Sequence, residues 1–206
     1  MSLEYQDWLN NDQWPGENYE KQMGSDVSEI AAESGDLMSQ FLTGRRYLEI
    51  EDFDNAFPWF KRAAARGHVG ALFNLGTMYA RGDGVERNHY QSVQCFTLAA
   101  SKGDAGSLLG LSIAAQYGHG MEQNADEANK LLLTAVKKGY PPAIHNLAIQ
   151  YLNGDGMPKD VDKAIELFKE AADKGFGSSQ FILASIFYED KTYVRRDMKK
   201  CLYWME

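Results

Sequence analysis

A repeat of 36 residues constrains this sequence more than any other feature. When residues 56–91 are written above residues 128–163, identical residues pair at ten of 36 positions, whereas unrelated segments of average composition would share about two or three. The pairs are Ala56/Ala128, Ala63/Ala135, Gly67/Gly139, Ala71/Ala143, Asn74/Asn146, Leu75/Leu147, Tyr79/Tyr151, Gly82/Gly154, Asp83/Asp155 and Gly84/Gly156. The blocks that begin at Ser92 and Ala164 keep the same phase. A period of this length indicates supersecondary units that must stack on their neighbours to bury a core.

Each repeat has the spacing of two helices. AFPWFKRAAARG and AIELFKEAADKG read as helices that end at a glycine preceded by Lys or Arg. In ALFNLGTMYARG and AIHNLAIQYLNG, apolar residues recur at three- and four-residue steps, which predicts a second helix with one buried stripe. The turns GDGV, GHGM and GDGM follow, with glycines suited to positive φ.

The next helix starts after a capping residue. Asn88 with Gln91, and Asn124 with Glu127, have the spacing of a capping box. Asp160 is predicted to cap alone, because a lysine stands where the acid would be. We therefore expect every one of these helices to begin at a side-chain cap.

The two ends of the array depart from the pattern. Residues 36–57, DLMSQFLTGRRYLEIEDFDNAF, resemble the second helix and turn, but they are four residues shorter and lack GxG, so we expect a tighter connection. RRDMKKCLYWME matches KDVDKAIELFKE and stops before the alanines and glycine that should follow. Whether this last helix caps the stack, pairs with a second copy or precedes further repeats stays open.

The predicted fold class is all-α, a right-handed superhelical solenoid of antiparallel helix pairs. Helices of about 12 residues cannot bury their apolar faces alone, so neighbouring pairs must pack together. We expect an acidic N-terminal segment or cap at 1–35 and a solenoid at 36–206. Its units are predicted at about 36–67, 68–103, 104–139, 140–175 and 176–206.

The pattern AxxNLGxxYxxGxGV, followed by Asn or Asp and then xxxAxxxFxxAAxxG, resembles the Sel-one-like repeat family, relatives of the tetratricopeptide repeats. Residues 56–190 carry it continuously, with departures at Gly110 and Ala115 and at 190–192. A cysteine-rich bacterial branch of the family is a poor match, since its paired cysteines are missing. The resemblance implies a bacterial-type adaptor that binds proteins and has no cofactor.

The resemblance to tetratricopeptide-like pairs also suggests where a partner binds. The first helix of each unit would line a concave face, at positions two before and two after Leu75 and its equivalents. The residues at those positions are Phe41, Phe73, Leu109, His145 and Phe181, and then Thr77, Ile113, Ile149 and Ser185. They form either an apolar interface or a surface partly covered by superhelical packing.

Two asparagines stand beside this face. The amides of Asn74 and Asn146 could donate to and accept from the backbone of an extended peptide. The alternative is that each amide bonds its own neighbouring helix.

The charge of the chain is concentrated at its beginning. Residues 1–36 hold nine acids and one base, which accounts for the net charge of −8, while the rest of the chain is balanced. This argues against a nucleic-acid partner, which requires a surplus of Lys and Arg. Short helices are expected around 3–10 and 26–34. The aromatics Tyr5, Trp8, Trp14 and Tyr19 either pack on the first repeat or belong to a mobile partner-binding arm.

The sequence has no recognisable catalytic or metal motif. The four histidines are scattered, with no HExxH or triad spacing, and those in loops are interpreted as solvated. Asp83 and Asp155 supply one acid per loop, too few for a cation, so no metal is predicted. Cys95 and Cys201 are interpreted as buried small hydrophobic residues.

Neither a membrane span nor a signal peptide is predicted, because no apolar stretch is long enough and the opening residues lack a basic start. The sequence as it stands predicts a cytoplasmic protein, and a periplasmic or secreted one if a leader has been removed.

Two functional hypotheses follow. The first is a non-catalytic adaptor or scaffold that binds a peptide or protein segment on the concave face, with possible oligomerisation through the terminal helix. The second is a small-ligand binder or hydrolase acting on β-lactams or cell-wall fragments, as suggested for some members of the family that the chain resembles. A Ser or Cys within reach of Lys, His or Glu in a cleft would favour the second.

Overall fold

Helices form every regular element in the part of the protein that the structure describes. The structure is a computed structural model that describes residues 32–33 and 35–189, with side chains as far as residue 186. The helices, each of 13 residues, are α1 Leu37–Glu49, α2 Phe53–Ala65, α3 Val69–Arg81, α4 His89–Ser101, α5 Ala105–Tyr117, α6 Ala125–Lys137, α7 Pro141–Asn153, α8 Val161–Asp173 and α9 Gly177–Glu189. The predictions for residues 3–10, for most of 26–34, for the N-terminal aromatics, for Cys201 and for the terminal helix lie outside the described residues.

The chain divides into two compact units, residues 1–107 and residues 108–206. In the first unit α1 packs on α2, α2 on α3 and α3 on α4. In the second unit α6 packs on α7, α7 on α8 and α8 on α9. Consecutive helices thus pack on each other within α1–α4 and within α6–α9, and the predicted fold class, an all-α solenoid of helix pairs, is confirmed.

The alanines that the repeats share lie where helices meet. Ala56, Ala63 and Ala71 in the first unit have no exposed surface, and Ala135 and Ala143 in the second are equally buried. A methyl side chain allows two helix backbones to come close, and larger side chains then fill the space on either side. In the first unit that space is filled by residues such as Phe60, Leu72, Leu75 and Met78.

The helix caps are formed as predicted, but the capping boxes are not. The Asn88 side chain accepts a hydrogen bond from the Gln91 backbone N–H at 3.0 Å. Its own backbone N–H donates to the Tyr79 carbonyl at 2.8 Å, so this N–H is satisfied by the preceding helix rather than by the Gln91 side chain. Asn124 and Asp160 repeat both features, with the Ala115 and Tyr151 carbonyls as acceptors. The turn between the two helices is therefore closed by a backbone hydrogen bond.

The glycine turn after α3 brings the chain against the start of α2. Gly84 has a φ of 65°, and a Cβ at this position would collide with the backbone carbonyl of Phe53 at the start of α2. Only glycine fits both the left-handed conformation and this close approach. Between α1 and α2 the connection is reduced to residues 50–52, which confirms the tighter turn expected there.

Three basic side chains reach back to glycines some 31 to 35 residues earlier in the chain, and for Lys102 and Lys174 that glycine follows the C-terminus of α2 and of α6, respectively. The Arg66 guanidinium donates to the carbonyl of Gly35. The Lys102 ammonium lies over Gly67, 3.1 Å from where a Cβ would be, and Lys174 lies over Gly139 at 3.3 Å. A positive charge at a helix C-terminus stabilises the partial negative charge of its last carbonyls.

Candidate functional site

In the first unit, the predicted concave-face residues contact their own structure. Phe41 stacks on the His68 ring, with centroids 4.2 Å apart. Phe73 is half-buried, and its ring centroid lies 6.0 Å from that of Phe96. The Asn74 amide donates to the Gly70 carbonyl at 2.8 Å, so it bonds within α3 and not to a neighbouring helix as the alternative had it. Thr77 also donates within its helix, to the carbonyl of Phe73 at 3.1 Å.

His145 is a packing residue in the second unit. It is only 8% exposed, its Nδ1 lies 2.8 Å from the Ser179 hydroxyl, and the rings of Phe168 and Phe176 contact it edge-on. Burial lowers the pKa of His145, which favours the neutral ring. Since Ser179 has no exposed surface, this serine–histidine pair does not lie in a cleft that a substrate could enter.

His68 is also buried, so the interpretation of the loop histidines as solvated is wrong for this residue. Its ring is 5% exposed, and its Nδ1 accepts a hydrogen bond from the Ala71 backbone N–H at 3.1 Å as the N-cap of α3. Desolvation lowers the pKa of His68 to about 4. The residue therefore caps the helix in its neutral form.

Four of the predicted concave-face residues come together in the second unit, where they line a half-open groove of about 660 Å³. These residues are Leu109, Ile113, Asn146 and Ile149. The volume lies in the range of ligand-binding sites in proteins. The rest of the lining comes from α5, α6, α7 and the turn after α7, namely Ser112, Gln116, Tyr117, Ala125, Asn129, Leu132, Gln150, Asp155 and Gly156. The remaining predicted residues of this unit, His145, Phe181 and Ser185, do not line the groove, although Phe181 is 73% exposed.

The groove occurs where the repeat loses a large ring. The position of Leu132 is occupied by an aromatic residue in the other four repeats, namely Phe60, Phe96, Phe168 and, in the sequence of the last repeat, Trp204. In the second repeat, a Cβ on Gly76 would lie 2.8 Å from the Phe96 ring, so that ring requires a glycine opposite it. The equivalent of Gly76 in the groove is Ser112, whose hydroxyl donates to the Ala128 carbonyl at 2.7 Å.

Two amides also replace apolar residues of the repeat. Asn129 stands where the other repeats have Phe57, Val93 and Ile165, and Gln150 stands where they have Met78, Ala114 and Ile186. The Gln150 Nε2 donates to the Asn129 Oδ1 across 3.5 Å, which is long for a hydrogen bond. The Gln150 Oε1 is buried with no donor among the described residues. Sequence reasoning missed both amides, and the signal that could have found them is this departure from the repeat.

Exposed apolar side chains stand at the groove. Ile113 is 43% exposed and Tyr117, one helical turn further along α5, is 65% exposed. The Tyr117 ring stacks on His119 with centroids 5.7 Å apart. Exposed aromatic and aliphatic groups beside a cleft are typical anchors of protein interfaces.

The groove has little of the chemistry that catalysis needs. Its described lining contains no histidine, lysine or glutamate that could activate Ser112. Within residues 32–33 and 35–189, no group of His, Cys, Asp or Glu side chains could hold a metal ion. Cys95 is buried as predicted, and burial raises the pKa of its thiol to about 11. None of the described helices is long and apolar enough to cross a bilayer.

Comparison with protein families identifies the repeat. The family model described as Sel1 repeat matches five consecutive segments, 39–68, 69–104, 106–140, 141–176 and 177–206. The chain belongs to the Sel1 repeat family. The recognition made from the sequence pattern is thereby confirmed. Among curated proteins, none matches the chain significantly.

Solved Sel1 repeat structures share the fold. A Sel1 repeat protein from Oxalobacter formigenes is 27% identical, with a TM-score of 0.68, over 88% of this chain and 73% of that one. A protective antigen of uropathogenic Escherichia coli strains, which displays an SLR fold, is 28% identical with a TM-score of 0.60; the match covers 87% of this chain but 39% of the antigen. An immunity protein from Pseudomonas aeruginosa is similar in fold alone, at 20% identity and a TM-score of 0.64 over 87% of this chain and 69% of that one.

Proposed function

We propose that this protein is a non-catalytic interaction module that holds an extended segment of a partner protein in the groove of its second unit. Sel1 repeat proteins are generally protein-interaction modules, and their fold is typically a non-enzymatic scaffold. The observation that carries the proposal is the half-open groove itself, which combines apolar walls with amides. Leu109, Ile113 and Ile149 would receive apolar side chains, while Asn146 and Gln150 would bond the backbone of the segment.

The charge of the protein favours a protein partner over a nucleic acid. The net charge is −8, and the groove lining holds one carboxylate and, in the described part of the chain, no cation. Binding to phosphates requires Lys and Arg on the contact surface. A peptide segment requires no such surplus.

A matched pair of variants tests the proposal. Ile113 in the groove and Leu133 outside it are both aliphatic, both in the second unit, and 43% and 45% exposed. We expect Ile113→Glu to abolish capture of a partner from a lysate of the source organism, because it places a charge in an apolar contact. Leu133→Glu should leave capture unchanged.

The captured partner then shows whether a linear segment is bound. Overlapping peptides that tile its sequence should bind at one stretch, and this binding should also be lost with Ile113→Glu. Equal capture by both variants, or binding by no single stretch, would contradict a groove that holds an extended segment.

A further inference from the structure

The groove contains features that select one kind of peptide. Two of its amides, Asn129 and Gln150, depart from the repeat, the Gln150 Oε1 has no donor, and the carboxylate of Asp155 has no cation within the described part of the chain. We propose that the bound segment is basic: an extended peptide in which an aliphatic side chain lies within a few residues of a lysine or arginine. This inference rests on the proposed function and specifies the chemistry of the partner.

The charge of the groove comes from Asp155. This residue is the single charged group in the described lining, and no described cation pairs with it. The Oδ2 of Asp155 accepts a hydrogen bond from the Asn153 amide at 3.1 Å. The backbone N–H of Asp155 donates to the Gln150 carbonyl at 3.0 Å. The carboxylate is thus attached to the same end of α7 as the buried amide, and it complements a positive charge on a ligand.

The amide of Gln150 requires a hydrogen-bond donor. Its Oε1 is buried and accepts no hydrogen bond from the described residues, a state that costs free energy unless a ligand supplies a donor. Lysine, arginine and the peptide backbone all carry N–H groups, and the two cationic side chains are donors only. A carboxylate on the ligand would instead face both this oxygen and Asp155, so acidic segments are disfavoured.

The apolar walls account for the aliphatic residue. Leu109, Leu132 and Ile149 line the groove with Ile113 at its exposed side. An aliphatic side chain would bury its surface among them. The methylene stem of a neighbouring lysine or arginine can lie along the same apolar wall while its charged end reaches the carboxylate.

A random peptide library tests both the groove and its charge preference. Twelve-residue peptides displayed on phage are selected for binding to the full 206-residue chain, and those that also bind the Ile113→Glu variant are removed. The Leu133→Glu variant is the matched control, and it should still bind the selected peptides. We expect the surviving peptides to share an aliphatic residue close to Lys or Arg. The strongest of them is then synthesised in two forms, one with its basic residue and one with glutamate in its place.

Affinities measured by fluorescence polarisation should follow the charge at position 155. For the basic peptide, Asp155→Asn should weaken binding by about fivefold, and Asp155→Lys should reverse the preference so that the glutamate peptide binds better. Gln150→Met, which introduces the residue that the second repeat has at this position, Met78, should weaken binding by about threefold to tenfold, because a hydrogen bond is lost.

The outcomes separate this inference from the proposed function. Peptides that depend on Ile113 but show no basic preference, or an acidic one, would overturn the basic segment and leave the groove as the binding site. Peptides that bind Ile113→Glu as well as the unmodified chain, or a library from which nothing is enriched, would overturn both.

Discussion

Acid should destabilise the first unit through His68. The ring is buried and caps α3 by accepting a hydrogen bond at Nδ1, which a protonated imidazole cannot do. Its pKa is lowered from 6.5 to about 4 by burial. The unfolded chain therefore binds a proton at a higher pH than the folded chain does, and stability must fall as the pH decreases.

The magnitude follows from the pKa values. The contribution of His68 to the free energy of unfolding is complete above pH 6.5 and decreases as the pH falls from 6.5 to about 4. Below that window it changes no further. At 1.36 kcal/mol per pKa unit, a shift of roughly 2.5 units corresponds to about 3 kcal/mol across this window. That is a large share of the stability of a small domain.

The variant His68→Asn isolates this effect. Asparagine is a good N-cap without a titrating group, although it loses the stacking on Phe41. The free energy of unfolding is measured for both proteins by urea denaturation, followed by circular dichroism, between pH 7.5 and 4. Groups that titrate in both proteins, including His145, contribute equally to both free energies of unfolding, so their effect cancels when one is subtracted from the other.

The expected result is that the stability advantage of the unmodified chain over His68→Asn shrinks by about 3 kcal/mol between pH 7 and pH 4. An NMR titration of the His68 ring gives its pKa directly. A difference in stability that is constant with pH, or a measured pKa near 6.5, would refute the reasoning.

Three further predictions concern the groove and the turns. The double variant Leu132→Phe with Ser112→Gly gives the third repeat the residues that the second repeat has at these positions, so the added ring should fill the groove. Binding of a groove-selected peptide, measured by fluorescence polarisation, should be abolished. The helix content measured by circular dichroism should stay unchanged. Gln150→Met should raise the free energy of unfolding by about 1 kcal/mol in urea denaturation, because a buried acceptor without a donor is removed, and an unchanged or lower stability would show that the acceptor is satisfied. Gly84→Ala should lower the free energy of unfolding by about 1–3 kcal/mol more than Gly175→Ala does. Both glycines have a positive φ, but only a Cβ at position 84 would meet the backbone of another helix. Equal midpoints of thermal denaturation for the two variants would contradict this.

The helices and their caps could be predicted because their causes are local. Asn88 and Asn124 cap at the expected positions, and Gly84 adopts the expected positive φ, since each depends on the few residues around it. The alanines that the repeats share are buried in both units, because identical positions in neighbouring units meet in the same way. The local pattern did not show which group accepts a hydrogen bond from the backbone N–H of each capping residue, because that acceptor is a carbonyl of the preceding helix.

The candidate site depends on differences between repeats, and these are harder to predict. Propagating the position of Phe73 by 36 residues placed His145 on the same exposed face, but Ser179 and Phe176 from the following repeat bury it. The groove results from a smaller residue at Leu132 acting together with side chains on two other helices. No single window of the sequence shows such a combination.

The cations at the helix ends have a consequence for how the chain is made. Lys102 and Lys174 each reach the end of a helix that was synthesised some 35 residues earlier. When a repeat emerges from the ribosome, one of its helix C-termini therefore lacks its cation until the next repeat has been translated. A gain or loss of a whole repeat by recombination preserves this spacing between cation and helix end, whereas a gain or loss of any other length would change it. Growth of such a protein in steps of 36 residues is thus built into its charge pattern.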